Sequence, residues 1–167
     1  MRNIVLIGMP GSGKTTISKA LAKRTGWPVI DLDDYLVHLK QMSIAQMFEI
    51  SESYFRDQET SVCELLKNQN QTILACGGGV VLREKNIALL KENGIICWLN
   101  RDLDKIVQDV DIRGRPLLKE GKQRLYALYE AREALYRKSA DVLIDNNGTI
   151  ENTLCQFEPY MKKTAAQ

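Results

Sequence analysis

The sequence lacks the residue patterns of several protein classes. Histidine occurs once, as His38, and only four of the 167 residues are cysteine. The four thiols are far apart and form no C-x-x-C pair (Cys63, Cys76, Cys97 and Cys155). This spacing argues against a zinc site and against a disulfide framework. We therefore predict reduced, buried thiols in a cytosolic protein.

An excess of charge of one sign and a long apolar run are also missing. The formal net charge is +2, which is too small to indicate nucleic acid or an anionic membrane as the main partner. The first apolar run, Ile4–Ile7, stops at Gly8 and is too short for a signal peptide or a membrane span. We expect a protein that starts at or near Met1, stays in the cytoplasm and binds neither nucleic acid nor membranes.

The composition that remains is typical of a soluble folded protein, with 44% hydrophobic and 26% charged residues. The length suits one domain, residues 1–167. Short apolar runs predict strands at Ile4–Ile7, Val29–Ile30, Ile73–Cys76, Ile95–Leu99 and Val142–Ile144. Stretches with helical spacing lie between them, and this alternation predicts an α/β domain with a mainly parallel sheet and helices on both faces. The irregular segment 110–121 predicts a long mobile loop.

The segment Gly8–Thr15 matches the pattern G-x-x-x-x-G-K-S/T between a predicted strand and a predicted helix. In this pattern the backbone N–H groups surround phosphate oxygens, and the start of the helix adds positive potential. Lys14 can reach the β and γ phosphates, and the Thr15 hydroxyl can bind Mg²⁺. The pattern predicts a phosphotransferase that holds ATP with Mg²⁺; the alternative is a glycine-rich turn without a ligand.

Three aspartates follow the second predicted strand directly: Asp31, Asp33 and Asp34. Ligands of open α/β sheets bind beyond the carboxyl ends of the strands, so these side chains should open onto the same crevice as Gly8–Thr15. Phosphoryl transfer to an alcohol needs a carboxylate that accepts the hydroxyl proton and often another that holds the metal. Asp31 and Asp33 can divide these roles or cap a helix that starts near Tyr35. For Asp34 we favour the capping role.

Two arginines are candidates for binding an anion. Arg132 falls within an apolar stripe of helical spacing, where an arginine is costly unless an anion meets it. That anion can be a structural carboxylate or a substrate carboxylate. Arg56 and Glu59 are three residues apart and can touch, although such a pair is usually on the surface and contributes little.

Glycines and further arginines complete the set of candidates. Gly77–Gly79 follow the third predicted strand, and they indicate either a backbone close to a ligand or a tight turn. Arg113 and Arg115 lie in the irregular segment. A lid arginine can neutralise charge on a transferred phosphoryl group, but a solvated basic loop has the same composition.

Taken in this order, the motifs resemble those of the shikimate kinase family, from Ile4 to about Ile144. The resemblance rests on G-x-x-G-x-G-K-T-T at Gly8–Thr16, D-x-D at Asp31–Asp33, F-R-x-x-E at Phe55–Glu59, G-G-G at Gly77–Gly79, R-P-L-L at Arg115–Leu118 and R-x-x-L-Y at Arg132–Tyr136. Each of the later motifs is weak alone, but six in register are specific. The chain departs from the family pattern at Gln108, where many members carry a basic residue that lies against adenine.

The resemblance implies transfer of the γ-phosphate of ATP to the 3-hydroxyl of shikimate, with Mg²⁺ as cofactor. It implies three catalytic residues, Lys14, Asp33 and Arg115. It places ATP on Gly11, Ser12, Gly13, Lys14, Thr15, Thr16 and Arg115, and shikimate on Asp33, Arg56, Gly78 and Arg132. It implies that Thr15 binds Mg²⁺ directly and Asp31 through water.

The family fold is a P-loop NTPase of three layers, α/β/α, with a five-stranded parallel sheet. The resemblance implies a helical substrate-binding region at about 33–67 and a mobile lid at about 109–122. We expect a monomer from the charge and size.

Two other functions are compatible with the P-loop. One is a related kinase of gluconate or of a nucleoside monophosphate, and the nucleotide acceptor would not need two arginines for a carboxylate. A regulatory module that binds ATP without turnover would not need Lys14, Asp33 and Arg115 together.

Overall fold

The computed structural model describes residues 2–112 and 119–161, with side chains except at 110–112, 119 and 120. The strands are β1 (Asn3–Ile7), β2 (Val29–Asp31), β3 (Ile73–Ala75), β4 (Gly94–Asn100) and β5 (Val142–Asp145). The helices are α1 (Lys14–Thr25), α2 (Leu32–Lys40), α3 (Ile44–Ile50), α4 (Glu52–Leu66), α5 (Glu84–Lys91), α6 (Leu103–Ile112), α7 (Lys119–Ser139), α8 (Ile150–Cys155) and α9 (Glu158–Met161), with a 3-10 turn at Val80–Leu82.

The five strands form one parallel sheet in the order β2-β3-β1-β4-β5. The most hydrophobic run at the start of the chain becomes the central strand, because β1 is buried over its whole length. The chain first builds β2 and β3 on one side of β1 and then crosses over to add β4 and β5. The change of direction beside β1 creates the crevice at which open α/β sheets bind ligands.

The alternation of side chains along β1 divides the core into two clusters, one on each face of the sheet. Val5 and Ile7 belong to one cluster, and Ile4 and Leu6 to the other. The first cluster packs under α2, α4, α5 and α7, and the second under α1 and α8. Helices therefore cover both faces, and the predicted α/β/α architecture with five parallel strands is confirmed.

Each predicted strand is present, with bounds that differ by at most one residue at either end. The predicted helical region at 33–67 holds α2, α3 and α4. Both ends of the predicted lid, about 109–122, and of the predicted loop 110–121 are helical, because α6 extends through Ile112 and α7 begins at Lys119. The middle of the segment, residues 113–118, lies outside the described residues. Within the described part of the chain, no helix has the length and apolar character that a membrane span requires.

Candidate active site

The turn between β1 and α1 has the geometry of an anion-binding loop. Gly13 precedes α1 with φ 98°, and no side chain caps the first turn of this helix. A Cβ at Gly13 would lie 2.6 Å from Nδ2 of Asn146, so glycine is required for space as well as for conformation. The first N–H groups of α1 therefore keep their capacity to bind an anion.

The predicted ATP-binding residues on this turn differ in exposure. Gly11, Thr15 and Thr16 are exposed at its surface, whereas Ser12 is buried. The Ser12 hydroxyl has no hydrogen-bond partner within the described part of the chain. A buried polar group without a partner is costly in a folded protein, so this hydroxyl can accept or donate a bond to a bound group.

Lys14 folds back over the turn. Its Nζ atom donates hydrogen bonds of 2.8 Å to the carbonyl oxygens of Gly8 and Met9. Burial lowers the pKa of Lys14 to about 8, while the charges of Asp33 and Asp31 act in the opposite direction. The ammonium group thus lies between the phosphate-binding turn and the two aspartates.

Asp31 ends β2 and caps α2. Its Oδ1 atom accepts hydrogen bonds from the backbone N–H of Asp33, at 3.0 Å, and of Asp34, at 3.2 Å. The helix starts at Leu32 rather than near Tyr35, so the prediction that Asp34 is the capping residue was wrong. The physical reason is that the strand leads directly into the helix, and the last residue of the strand is then the one placed to cap it.

Asp33 is half-buried on the first turn of α2 and faces the loop after β3. Both of its carboxylate oxygens lie 2.9 Å from the position of a Cβ at Gly77. Burial raises the pKa of Asp33, and the neighbouring charge of Asp31 adds to the increase, while Lys14 opposes it. A carboxylate with a raised pKa beside a phosphate-binding loop has the properties of a general base.

The three glycines after β3 allow site groups from other elements to come close. A Cβ at Gly78 would lie 2.9 Å from Pro10, and a Cβ at Gly79 would lie 2.5 Å from Nη1 of Arg56. The segment is also a tight turn, because the Val80 N–H donates to the Gly77 carbonyl at 3.1 Å. Both interpretations of the glycines therefore apply, and the close approach is to side chains of the chain itself.

Arg56 forms a buried ion pair rather than a surface one. Its exposed fraction is 8%, that of Glu59 is 3%, and Nη1 donates to Oε2 of Glu59 at 2.9 Å. The Nε atom is buried and has no hydrogen-bond partner among the described residues. Phe55 and Phe48 lie against the guanidinium, with ring centroids 4.9 and 5.9 Å from Cζ. Arg56 is thus oriented by Glu59, and its Nε, which lies 3.7 Å from Oε1 of Glu52, keeps an unused N–H donor.

Arg132 is half-buried on α7 at the other side of the glycine segment, with Nη1 3.4 Å from the position of a Cβ at Gly78. Among the residues that the structure describes, no carboxylate forms an ion pair with Arg132. This leaves the alternative of a substrate carboxylate as the anion that Arg132 meets.

The structure brings most of the predicted residues together, and two predicted arginines lie outside the residues that it describes. Lys14, Asp31, Asp33, Arg56, Gly78 and Arg132 surround one crevice at the carboxyl ends of β1, β2 and β3. Arg113 and Arg115 lie outside the described residues, so the predicted role of Arg115 stays a prediction.

Two residues of the site were missed by the sequence analysis. Asn146, after β5, donates to the Ser12 carbonyl at 2.8 Å and accepts from the Thr153 hydroxyl at 2.8 Å. Tyr136 donates to the Gly78 carbonyl at 2.6 Å. The position of Asn146 beyond the end of a strand could have identified it. Tyr136 closes the R-x-x-L-Y motif, but its place in an apolar stripe is typical of core residues and gave it no role in the site.

Comparison with known proteins agrees with this geometry. The family model for shikimate kinase matches residues 10–159. A shikimate kinase from Clostridium beijerinckii is 43% identical over 159 residues, which cover 95% of this chain and 94% of that protein.

Solved structures show the same similarity. A shikimate kinase from Acinetobacter baumannii in complex with shikimate is 32% identical, with a TM-score of 0.82, and the match covers 93% of this chain and 89% of that one. A gluconokinase from Sinorhizobium meliloti has a TM-score of 0.67 at 16% identity, over 96% and 91% of the two chains, which shows a shared fold alone. The chain therefore belongs to the shikimate kinase family, as the six motifs predicted.

Proposed function

We propose that this chain transfers the γ-phosphoryl group of ATP to the 3-hydroxyl of shikimate. The observation that carries the proposal is the pair of arginines from different helices, Arg56 on α4 and Arg132 on α7, on either side of Gly77–Gly79. A carboxylate is the anion that two guanidinium groups and adjacent backbone N–H groups suit best. The relative that binds shikimate supports this acceptor.

Each residue around the crevice has a proposed role. The N–H groups of Gly11 and Gly13 and those at the start of α1, with the Ser12 hydroxyl, Lys14, Thr15 and Thr16, bind the phosphates of ATP. Arg56, Arg132 and the backbone at Gly78 bind the carboxylate of shikimate. Binding of the carboxylate at these three positions orients the shikimate ring so that its 3-hydroxyl lies beside Asp33.

The transfer step follows from this placement. Asp33 accepts the proton of the 3-hydroxyl while the hydroxyl oxygen forms a bond to the γ-phosphorus. The bond from that phosphorus to the β–γ bridging oxygen breaks, and ADP leaves with the electron pair. Lys14 stabilises the charge that develops on the phosphoryl oxygens. We propose the same task for Arg115 on the lid.

The donor atoms at the turn suit Mg²⁺. The Thr15 side chain is exposed at the start of α1, and the capping bonds of Asp31 use Oδ1 only, which leaves Oδ2 for a water ligand of the metal. No cluster of three or more metal-binding side chains occurs among the described residues. Such a cluster is not needed, because Mg²⁺ takes one or two protein ligands together with water and nucleotide phosphates. When bound, the ion would neutralise phosphate charge.

The decisive experiment measures ADP release from ATP with Mg²⁺ in the presence and absence of shikimate, with gluconate and a nucleoside monophosphate as controls. We expect release only with shikimate, and ³¹P NMR should show the product as a 3-phosphate. Turnover with a control acceptor instead would retain a P-loop kinase and overturn the proposed substrate. ATP binding without any turnover would support the regulatory alternative.

A further inference from the structure

The glycine segment Gly77–Gly79 has backbone N–H groups that make no hydrogen bond in the described part of the chain. The carbonyls of Gly77 and Gly79 accept the N–H groups of Val80 and Leu82. By contrast, the N–H groups of Gly78 and Gly79 donate no hydrogen bond within the part of the chain that the structure describes. Consecutive free N–H groups of this kind form a concave anion-binding site. Their direction then decides whether an anion is bound.

One side chain holds the middle peptide of this segment. Tyr136 is fully buried on α7, and its hydroxyl donates to the Gly78 carbonyl at 2.6 Å. Burial raises the pKa of Tyr136, while the charge of Arg132 and its hydrogen bond to the same hydroxyl oppose the increase. The hydroxyl therefore keeps the proton that it donates, and it also contacts Arg132. The Tyr136 ring stacks on Trp98 with centroids 6.0 Å apart, which anchors the side chain against β4.

The peptide unit that joins Gly78 to Gly79 links the hydrogen bond at the Gly78 carbonyl to the direction of the Gly79 N–H. The unit is planar and trans, so the Gly78 carbonyl and the Gly79 N–H point in opposite directions. A hydroxyl that holds the carbonyl on one side therefore also sets the direction of the N–H on the other. Glycine has little conformational preference of its own, so without the contact the unit can rotate.

We infer that Tyr136 is a positioning residue for the substrate carboxylate, acting through the Gly78–Gly79 peptide. The inference rests on the proposed function, because it takes the carboxylate of shikimate as the anion that this segment receives. Arg132 lies one helical turn before Tyr136 on the same face of α7. One helix thus supplies both a charged contact to the carboxylate and the bond that orients the backbone beside it.

The test is the substitution Tyr136→Phe, which removes the hydroxyl and keeps the ring on Trp98. We expect the KM for shikimate to rise about 3- to 15-fold, with the KM for ATP changed less than about twofold. The methyl ester of shikimate lacks the anionic carboxylate, so its affinity, measured by calorimetry, should change less than about twofold. The matched control is Tyr126→Phe, which removes a hydroxyl bonded to Asp104 about 15 Å away along α7.

The outcomes separate the inference from the function on which it rests. Wild-type turnover together with unchanged shikimate affinity in Tyr136→Phe would overturn the positioning role alone. Equal weakening of shikimate and its methyl ester would overturn it too, because a merely structural role affects both ligands. Wild-type protein without shikimate-dependent turnover would overturn the proposed function and the inference with it. If Tyr136→Phe unfolds, Gly78→Ala, which disturbs the same peptide beside Pro10 and Arg132, must show the selective loss instead.

Discussion

Burial shifts the pKa values of individual charged residues at the crevice. Asp33 and Glu59 are carboxyl groups whose pKa is raised by burial, and Lys14 is an amine whose pKa is lowered by burial. Each shift disfavours the charged form. In the proposed function Asp33 receives a proton and Lys14 contacts phosphate, whereas Glu59 orients Arg56. The pKa shifts are therefore properties of single, partly buried side chains. The effect of each shift can be tested by substituting one residue at a time.

Asp33 provides the first test. Because the carboxylate must be ionised to accept a proton, and because its pKa is raised, kcat should decrease with falling pH at values above the ordinary aspartate pKa of 3.8. Asp33→Asn should lower kcat by about 10²- to 10⁴-fold and leave ATP binding intact. Steady-state rates across pH, with calorimetry of ATP binding, measure both effects.

The matched control for Asp33 is Asp34→Asn, because Asp34 is exposed on the same helix turn and its side chain makes no hydrogen bond in the described part of the chain. Its kcat should stay within about twofold of wild type. Persistent turnover in Asp33→Asn would show that another group accepts the proton.

Lys14 provides a test that needs no catalysis. At about pH 8.5 much of Lys14 is neutral, since its pKa is about 8, whereas a bound phosphate favours the ammonium form. ATP binding at this pH should therefore take up a fraction of a proton, and ATP affinity should fall as the pH rises further. Calorimetry in buffers of different ionisation enthalpy measures this uptake, and ATP itself contributes little there because phosphate has a second pKa of about 6.

Two lysine variants sharpen the Lys14 experiment. Lys14→Met should abolish the proton uptake and weaken ATP binding. Lys19→Met, which removes an exposed lysine from the same helix, should retain the uptake. Proton uptake that persists in Lys14→Met would assign the titration to a different group.

At the scale of elements, the glycine segment after β3 depends on the absence of side chains. Gly79 has φ −95°, which alanine adopts readily. The effect of Gly79→Ala should therefore come from the new Cβ, 2.5 Å from the Arg56 guanidinium. We expect Arg56 to be displaced from Glu59, with a KM for shikimate about 10-fold higher or more and a stability loss of about 1–3 kcal/mol.

The control for Gly79→Ala is Gly148→Ala, where the nearest atom to the new Cβ is at 3.4 Å. This variant should keep its shikimate affinity and its stability. An unchanged KM for shikimate in Gly79→Ala would mean that Arg56 does not hold the substrate from its observed position.

The strands and several charged residues could be predicted from the sequence, whereas contacts between distant elements could not. The strands were predictable because a parallel sheet buried on both faces requires uninterrupted apolar runs, such as Ile4–Ile7. Lys14, Asp33 and Arg132 were predictable because their motifs place charged groups at strand ends or on an apolar face. The burial of the Arg56–Glu59 pair was not predictable, because the i, i+3 spacing is the same on a surface helix. Only the packing of α4 against α2, α3 and α5 removes the pair from water. Likewise, the bond from Tyr136 to Gly78 joins residues 58 apart and depends on tertiary structure alone.

Across the whole molecule, the two ends of the parallel strands, here called the carboxyl edge and the amino edge of the sheet, differ in function. The carboxyl edge holds the candidate active site, and the amino edge holds contacts that only stabilise the fold. Asn3 is 1% exposed at the amino edge, where its Oδ1 accepts from the Thr72 N–H at 3.1 Å and its Nδ2 donates to the Gln69 carbonyl at 2.7 Å. Changes at this edge should alter stability without altering catalysis.

Asn3→Ala tests this division. Loss of both bonds leaves the buried Thr72 N–H unpaired, whereas the Gln69 carbonyl keeps the hydrogen bond from Nδ2 of Asn93. The free energy of unfolding should therefore fall by about 1–3 kcal/mol while both KM values stay unchanged. Urea denaturation measures the first quantity and steady-state kinetics the second. Asn68→Ala, at an exposed position, should change the stability by less than about 0.5 kcal/mol. A raised KM in Asn3→Ala would contradict the separation of the two edges.

The hydrogen bond between Asn146 and Ser12 joins residues 134 positions apart. During synthesis, the phosphate-binding turn therefore leaves the ribosome long before its partner. In the same way, β1 is made before both of the strands that pair with it, β3 and β4. A nascent chain thus has the nucleotide motif well before it has the nucleotide site, and it can hold ATP in full only after the segment with Asn146 has been made.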